Sequence, residues 1–175
     1  MEDKIIKTKG VHFGLYFGLF LVLLLLYAYV IDNNFFASYW YLGILVLGFF
    51  VNGLWVIGDL KKTQNGFITF KEGFTVFFIS NALAFLLSTI VTILIFIVID
   101  PDLQATVKEI TISKTTEIME NMNAPIDKID ETIEGLKSQN NFSLVAQIKG
   151  YFSTLVVASI AGLLLALILK NNKED

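Results

Sequence analysis

The sequence contains no cysteine and no arginine, and only one histidine, His12. Without thiols it can form no disulfide, thiol nucleophile, iron–sulfur cluster or thiolate zinc site. Without guanidinium groups it lacks the planar fork that grips phosphate or carboxylate in bidentate fashion. A lone imidazole makes neither a histidine metal cluster nor a relay, and His12 sits at the edge of an apolar run, an ordinary interfacial position. A net charge of −3 without a basic cluster argues against nucleic acid as a partner. Enzyme motifs are missing as well: no phosphate-cradling glycine loop, no H-E-x-x-H, no serine in a nucleophile elbow. Asp59, Glu72 and Asp100 are scattered over opposite ends of the apolar runs and make no evident catalytic pair. The expectation is a protein that is not an enzyme, with no catalytic residue, metal ligand or cofactor.

What abounds is apolar. Of 175 residues, 55% are hydrophobic and 16 are phenylalanine, and the mean hydropathy is +0.67. A soluble domain is roughly 45–50% apolar, so the excess points to lipid as the solvent. Crossing about 30 Å of hydrocarbon takes a helix of roughly 20 apolar residues. Four stretches qualify: 11–31, 39–57, 74–99 and 150–169. The first follows Lys4, Lys7 and Lys9 in the manner of a signal peptide. Its apolar run exceeds the roughly 7–15 residues of such a peptide and no small-x-small cleavage site follows, so a retained anchor is expected. The third and longest is expected to tilt or to project from the bilayer. The fold class expected is an all-α membrane protein: one integral membrane domain over residues 1–175, with four transmembrane helices and a helical hairpin at 100–149 outside the membrane.

Lysines orient such a chain. With the N-terminus inside, the inner segments carry Lys4, Lys7, Lys9, Lys61, Lys62, Lys71, Lys170 and Lys173. The outer ones carry Lys108, Lys114, Lys128, Lys137 and Lys149, diluted in a longer acidic stretch. Both termini are therefore expected in the cytoplasm, and residues 100–149 in the periplasm of a bacterial inner membrane. Tyr27, Tyr29, Tyr39, Trp40, Tyr41 and Tyr151 would ring the outer interface, with Phe13 and Trp55 near the inner one.

Within 100–149, Asp100-Pro101-Asp102 reads as a helix restart with Asp100 at the N-cap and Pro101 at the first helical position. An imperfect stripe follows at Leu103, Val107, Ile110, Ile118 and Met122, until Asn123-Ala124-Pro125 interrupts it. A second stripe, Ile126, Ile129, Ile133 and Leu136, has the spacing of a paired helix. These four are the candidate partner-docking residues, with Met119 and Met122 as adaptable contacts. The acidic residues of this segment lack the spacing and central glycine of a calcium loop and read as a solvated face.

In lipid, helices approach closely through small residues, and buried polar groups are rare. The fourth stretch has Gly150, Thr154, Ala158, Gly162 and Ala166 along one face, and the third has Ser80, Ala84, Ser88 and Thr92. These two faces are expected to pack together, with a weaker contribution from Gly14-x-x-x-Gly18. Asn52 and Asn81 fall at similar depth and are expected to hydrogen-bond to each other, across a dimer, or to a passing polar group. No carboxylate occupies the middle of a stretch, which argues against a proton-driven carrier.

Residues 65–74 read NGFITFKEGF, squeezed between two apolar runs. Thr69 and Glu72 have the spacing of a capping box, and Gly66 suits a tight turn. The stretch reads as the inner turn that starts the third helix. The segment Asn65-Gly66-Phe67-Ile68-Thr69-Phe70 with Gly73, followed one span later by Ile99-Asp100-Pro101-Asp102, resembles an uncharacterised bacterial membrane family. It is the domain-of-unknown-function family numbered 4199, found mostly in the Bacteroidota. The order and spacing of these motifs along nearly the whole chain carry the resemblance. It implies a bacterial inner-membrane protein and offers no functional residues to transfer.

The expected function is that of a non-enzymatic subunit or scaffold whose periplasmic hairpin docks a partner. The alternative is a small oligomeric transporter or lipid flippase, with a polar path near Asn52 and Asn81 continued by Ser88 and Thr92. Partners expected are the lipid bilayer and either another protein or further copies of this chain.

Overall fold

A backbone in hydrocarbon must satisfy its own hydrogen bonds, and a helix does so within one segment. The computed structural model describes residues 2–171. Among the described residues, six α-helices run in order: α1 Glu2–Val30, α2 Tyr39–Thr63, α3 Phe70–Ile93, α4 Leu103–Asn121, α5 Ile126–Ser138 and α6 Leu144–Leu169. A 3-10 turn at Asn33–Ala37 links α1 to α2, and a π-helical turn at Leu94–Ile99 prolongs α3. Four of these stretches are long and apolar enough to cross a membrane: Asp3–Val30, Tyr39–Thr63, Phe70–Ile99 and Leu144–Leu169. Lys173, counted above among the cytoplasmic lysines, lies outside the described residues.

Polar caps set where α6 and α2 begin, and the α6 cap makes that helix outrun its apolar stretch. Ser143 Oγ accepts from the Ala146 N–H at 3.2 Å, so α6 starts at Leu144 rather than at residue 150. Ser38 Oγ accepts from the Trp40 N–H at 3.1 Å and starts α2. Each cap satisfies a donor that the first helical turn leaves without a partner.

Helix α3 is central and touches α1, α2 and α6. Its most intimate neighbour is α1. A Cβ added at Gly14 would lie 2.8 Å from the Ser80 carbonyl oxygen, and one at Gly18 would lie 3.2 Å from Ala84 Cα. Ala84 and the Ser80 backbone therefore lie against α1, while the Ser80 hydroxyl turns to Asn52 of α2, which corrects the expected pairing of the third and fourth small-residue faces. Helix α6 meets α3 nearer the chain's N-terminal end, where Ala166 Cβ lies 3.5 Å from where a Gly73 Cβ would be. Ala158, Gly162 and Ala166 are buried, whereas Thr154 is exposed and Gly150 has nothing within 4 Å of an added Cβ. Four-residue spacing marks a face that permits close approach. Which helix takes it depends on bulk, and here the Phe77 ring of α3 fills the space beside Gly162.

The end of the bundle that holds the chain's N-terminal residues is tied together by local polar contacts. Asn65 and Gly66 turn the chain with φ of 59° and 90°. The left-handed region is open to glycine and tolerated by asparagine. Thr69 Oγ1 then accepts from the Glu72 N–H at 3.3 Å while Glu72 Oε2 accepts from the Thr69 N–H at 2.8 Å, the capping box expected from the spacing. Buried Ile68 pairs with Asn171 through two backbone hydrogen bonds of 2.9 Å. Lys61 Nζ donates to the Leu169 carbonyl at 3.1 Å, covering the C-terminus of α6, and Lys9 pairs with Asp59. The stretch NGFITFKEGF is thus a structural turn that ties α2, α3 and the end of α6.

At the far end, the π turn runs into Pro101. The Asp100 N–H donates to the Ile95 carbonyl at 2.8 Å, and the next residue, Pro101, has no N–H for the Phe96 carbonyl. Gln104 Nε2 supplies that bond at 2.6 Å. Helix α4 begins at Leu103, later than a proline at the first helical position implies, with Asp100 Oδ1 accepting from the Leu103 N–H at 3.2 Å. Leu25, Ile95, Phe96, Leu103 and Val107 form a buried cluster, and Phe142 stacks on Phe96 at 4.6 Å. Gln104→Leu is expected to cost about 1–2 kcal/mol, because it strands the Phe96 carbonyl. Thermal unfolding in detergent checks this, and an unchanged midpoint would refute the role given to Gln104.

Candidate functional site

Two polar features interrupt the apolar interior. The first joins α2 to α3. Asn52 Nδ2 donates to Ser80 Oγ at 3.0 Å and to Asn81 Oδ1 at 3.5 Å, and the Ser80 hydroxyl donates to Asn52 Oδ1 at 3.4 Å. Asn81 Nδ2 donates to the Phe77 carbonyl of its own helix at 2.9 Å. All three side chains are buried. The expected meeting of Asn52 and Asn81 occurs, with Ser80 as the closer partner. The sequence reading placed Ser80 only in a packing stripe. The signal for its second role was its position next to Asn81.

Ser88 and Thr92 do not continue this cluster. Buried Ala84 and half-buried Phe85 intervene on α3, and the Thr92 hydroxyl donates to the Ser88 carbonyl at 2.9 Å. Among the described residues, Ser88 and Thr92 thus make no hydrogen bond to the Asn52–Ser80–Asn81 cluster. Interhelical hydrogen bonds in lipid contribute about 1 kcal/mol or less each, because partners are also found before the helices pack. Asn52→Leu is expected to lower stability by about that amount. A loss several times larger in a detergent melt would mean that the cluster does more than join two helices.

The second feature is a cleft of about 770 Å³ between α2 and α6, with α3 at its back. Toward the far end it is lined by Asn141, Gln147, Thr89 and Ser88, and deeper by Leu45, Phe49, Phe85 and Ala158. It closes toward the N-terminal end, where a Cβ at Gly53 of α2 would lie 3.1 Å from Leu165 of α6. Gly150 and Thr154, expected in helix packing, line this opening instead. Sequence reasoning missed the cleft because Asn141 and Gln147 precede residue 150, where the fourth apolar stretch was started.

Of the candidate docking residues, Ile126 is exposed, Ile133 and Leu136 are half-buried, and Ile129 is buried. Ile129 is thus not free to meet a partner. Helix α5 packs on α4, and the Lys108 ammonium donates to the Gln139 carbonyl at 3.1 Å and to that of Lys137, capping α5 from across the pair. Met122, at the turn between the helices, is exposed. Beside it lies a hollow of about 530 Å³, where α4 faces the 3-10 turn, lined by Asp32, Asn34, Lys114, Glu117, Asn121 and Met122.

Four helices able to cross a membrane, packed through glycines and a small buried polar cluster, define a multi-pass helical membrane protein. The chain belongs to the domain-of-unknown-function family 4199: the model of that family, described as a protein of unknown function, matches residues 12–171. Neither the curated proteins nor the solved structures give a match.

Proposed function

We propose that this protein is a non-enzymatic subunit or scaffold of a bacterial inner membrane, whose α4–α5 hairpin stands in the periplasm and docks another protein. The observation that carries the reading is the exposed apolar pair at the hairpin tip, Met122 at 75% and Ile126 at 66% exposure. The hollow beside it adds both charge signs through Lys114 and Glu117 and suits a protein surface better than a lipid one. The base of α4 is seated on the spanning helices by Leu103 and Val107, so the hairpin is held in place for a partner. Lysine crowding around the α2–α3 turn and the N-terminus supports cytoplasmic termini.

The absence of native cysteine makes orientation simple to test. Ser38→Cys is expected to react with a membrane-impermeant maleimide on intact spheroplasts, and Thr63→Cys only after lysis. The reverse pattern would invert the topology. Docking is tested by crosslinking in cells, mild-detergent purification and mass spectrometry of the complex. A foreign protein in stoichiometric amount, lost in Met122→Asp with Ile126→Asp while the fold survives, supports the reading. An unchanged set of partners in that double variant removes the hairpin from it.

A further inference from the structure

The cleft between α2, α3 and α6 is amphipathic along its length. Its mouth is edged by Leu42 and Val46 of α2 and Val157 of α6, all largely exposed on the apolar outer surface. An occupant therefore enters from the hydrocarbon of the bilayer. The deep wall, with Phe49 and Phe85, offers ring faces and aliphatic carbon, a surface for a hydrocarbon chain. A hydrocarbon chain lying along this wall makes dispersion contacts with the two rings and the aliphatic side chains.

The opposite end offers hydrogen bonds without charge. Among the described residues, no lysine, aspartate or glutamate lines the cleft. The hydroxyls of Thr75, Thr92, Thr111, Thr116 and Thr132 donate to carbonyls of their own helices. Those of Thr89 and Thr154 line the cleft and have no partner among the described residues. Gln147 Nε2 donates to the Asn141 carbonyl at 2.9 Å, which holds that amide at the rim. Thr89 and Thr154 lie within apolar spanning stretches, and hydroxyls that face hydrocarbon without a partner favour a ligand that brings acceptors to them. An anionic head would lose its hydration here with no cation to meet it.

We infer that this cleft binds one uncharged glycerolipid of the diacylglycerol class, an acyl chain lying along Phe49 and Phe85. Its ester and hydroxyl oxygens meet Thr89, Thr154 and Gln147. The inference does not depend on docking by α4 and α5.

The test uses the full chain in phosphatidylcholine vesicles containing a small fraction of diacylglycerol with a diazirine in one acyl chain. After irradiation, adducts are mapped by mass spectrometry. They are expected to concentrate on peptides carrying Phe49 and Phe85. Gly150→Phe, which fills open space, is expected to cut cleft adducts about fivefold, and Gly58→Phe, equally open but outside the cleft, to leave them unchanged. Thr89→Val with Thr154→Val, which keeps the shape, is expected to reduce them about threefold. A detergent melt confirms that each variant is folded. Four results would each overturn the proposal: adducts spread evenly over the outer faces, adducts indifferent to Gly150→Phe, equal labelling by the matching diazirine phosphatidic acid, or a dimer in native mass spectrometry that Gly150→Phe dissolves.

Discussion

Gly14→Val is expected to lower the detergent unfolding midpoint by about 4–8 °C, the equivalent of roughly 2 kcal/mol in a chain of this size. The first atom an added Cβ meets is the Ser80 backbone oxygen at 2.8 Å, followed by Leu83 Cβ at 3.1 Å and Ser80 Cα at 3.2 Å. None is the free end of a flexible side chain. The helices must separate, and separation loosens the flanking contacts at Gly10 and Gly18, where added Cβ atoms would lie 2.8 Å from Ile79 and 2.7 Å from Leu87. In lipid no hydrophobic term offsets that loss, because helix association there rests on van der Waals contact. Gly43→Ala and Gly58→Ala are the controls, since both positions open onto empty space. Alanine is the better helix former, so these two should hold or gain stability. Equal losses at Gly14, Gly43 and Gly58 would show that the α1–α3 interface is not built on close approach.

The second large effect is expected at Phe77. Its ring is wholly buried and held between two glycines on different helices. A Cβ at Gly53 of α2 would lie 2.6 Å from Phe77 Cε2, and one at Gly162 of α6 would lie 2.5 Å from Cδ1. Phe49 meets the same ring edge-on at 5.5 Å. A ring pressed from one side cannot move away without meeting the other glycine. Gly162→Ala is therefore expected to cost about 2 kcal/mol, a typical overpacking loss. Phe77→Leu alone should also destabilise, by vacating part of the clamp. Combined, the two are expected to be less harmful than their sum by about 1–2 kcal/mol, a coupling that direct contact produces. Strict additivity in the double-mutant cycle would mean that Phe77 and Gly162 do not share this space.

Much of the architecture was legible before the structure because hydropathy in lipid is a one-dimensional constraint. The helix crossing 74–99 had to be apolar over its length, and its start at Thr69 was marked by a local capping box three residues long in reach. The helices α4 and α5 were marked by the same kind of local signal, a proline and an apolar period on each side of Asn123. Asn52 and Asn81 stood out because amides are costly in hydrocarbon, and their meeting followed from depth. Partnerships between helices were less legible. Ser80 and Ala84 carry the same spacing whether they face α1 or α6, and only the bulk of Phe77 on the neighbouring face decides. Ile129 and Ile126 lie three residues apart on one stripe, yet one is buried and the other exposed.

By itself the sequence determined the solvent, the number of helices able to cross it, the turns between them and the absence of thiol and guanidinium chemistry. These follow from each residue's own transfer energy and from contacts a few positions away. The tertiary structure alone decided that α1 is the closest neighbour of α3, that Phe77 sits between two glycines, and that α2 and α6 part to leave a cleft with unpaired hydroxyls. Those features depend on shape complementarity between faces distant in the chain, which no local period encodes.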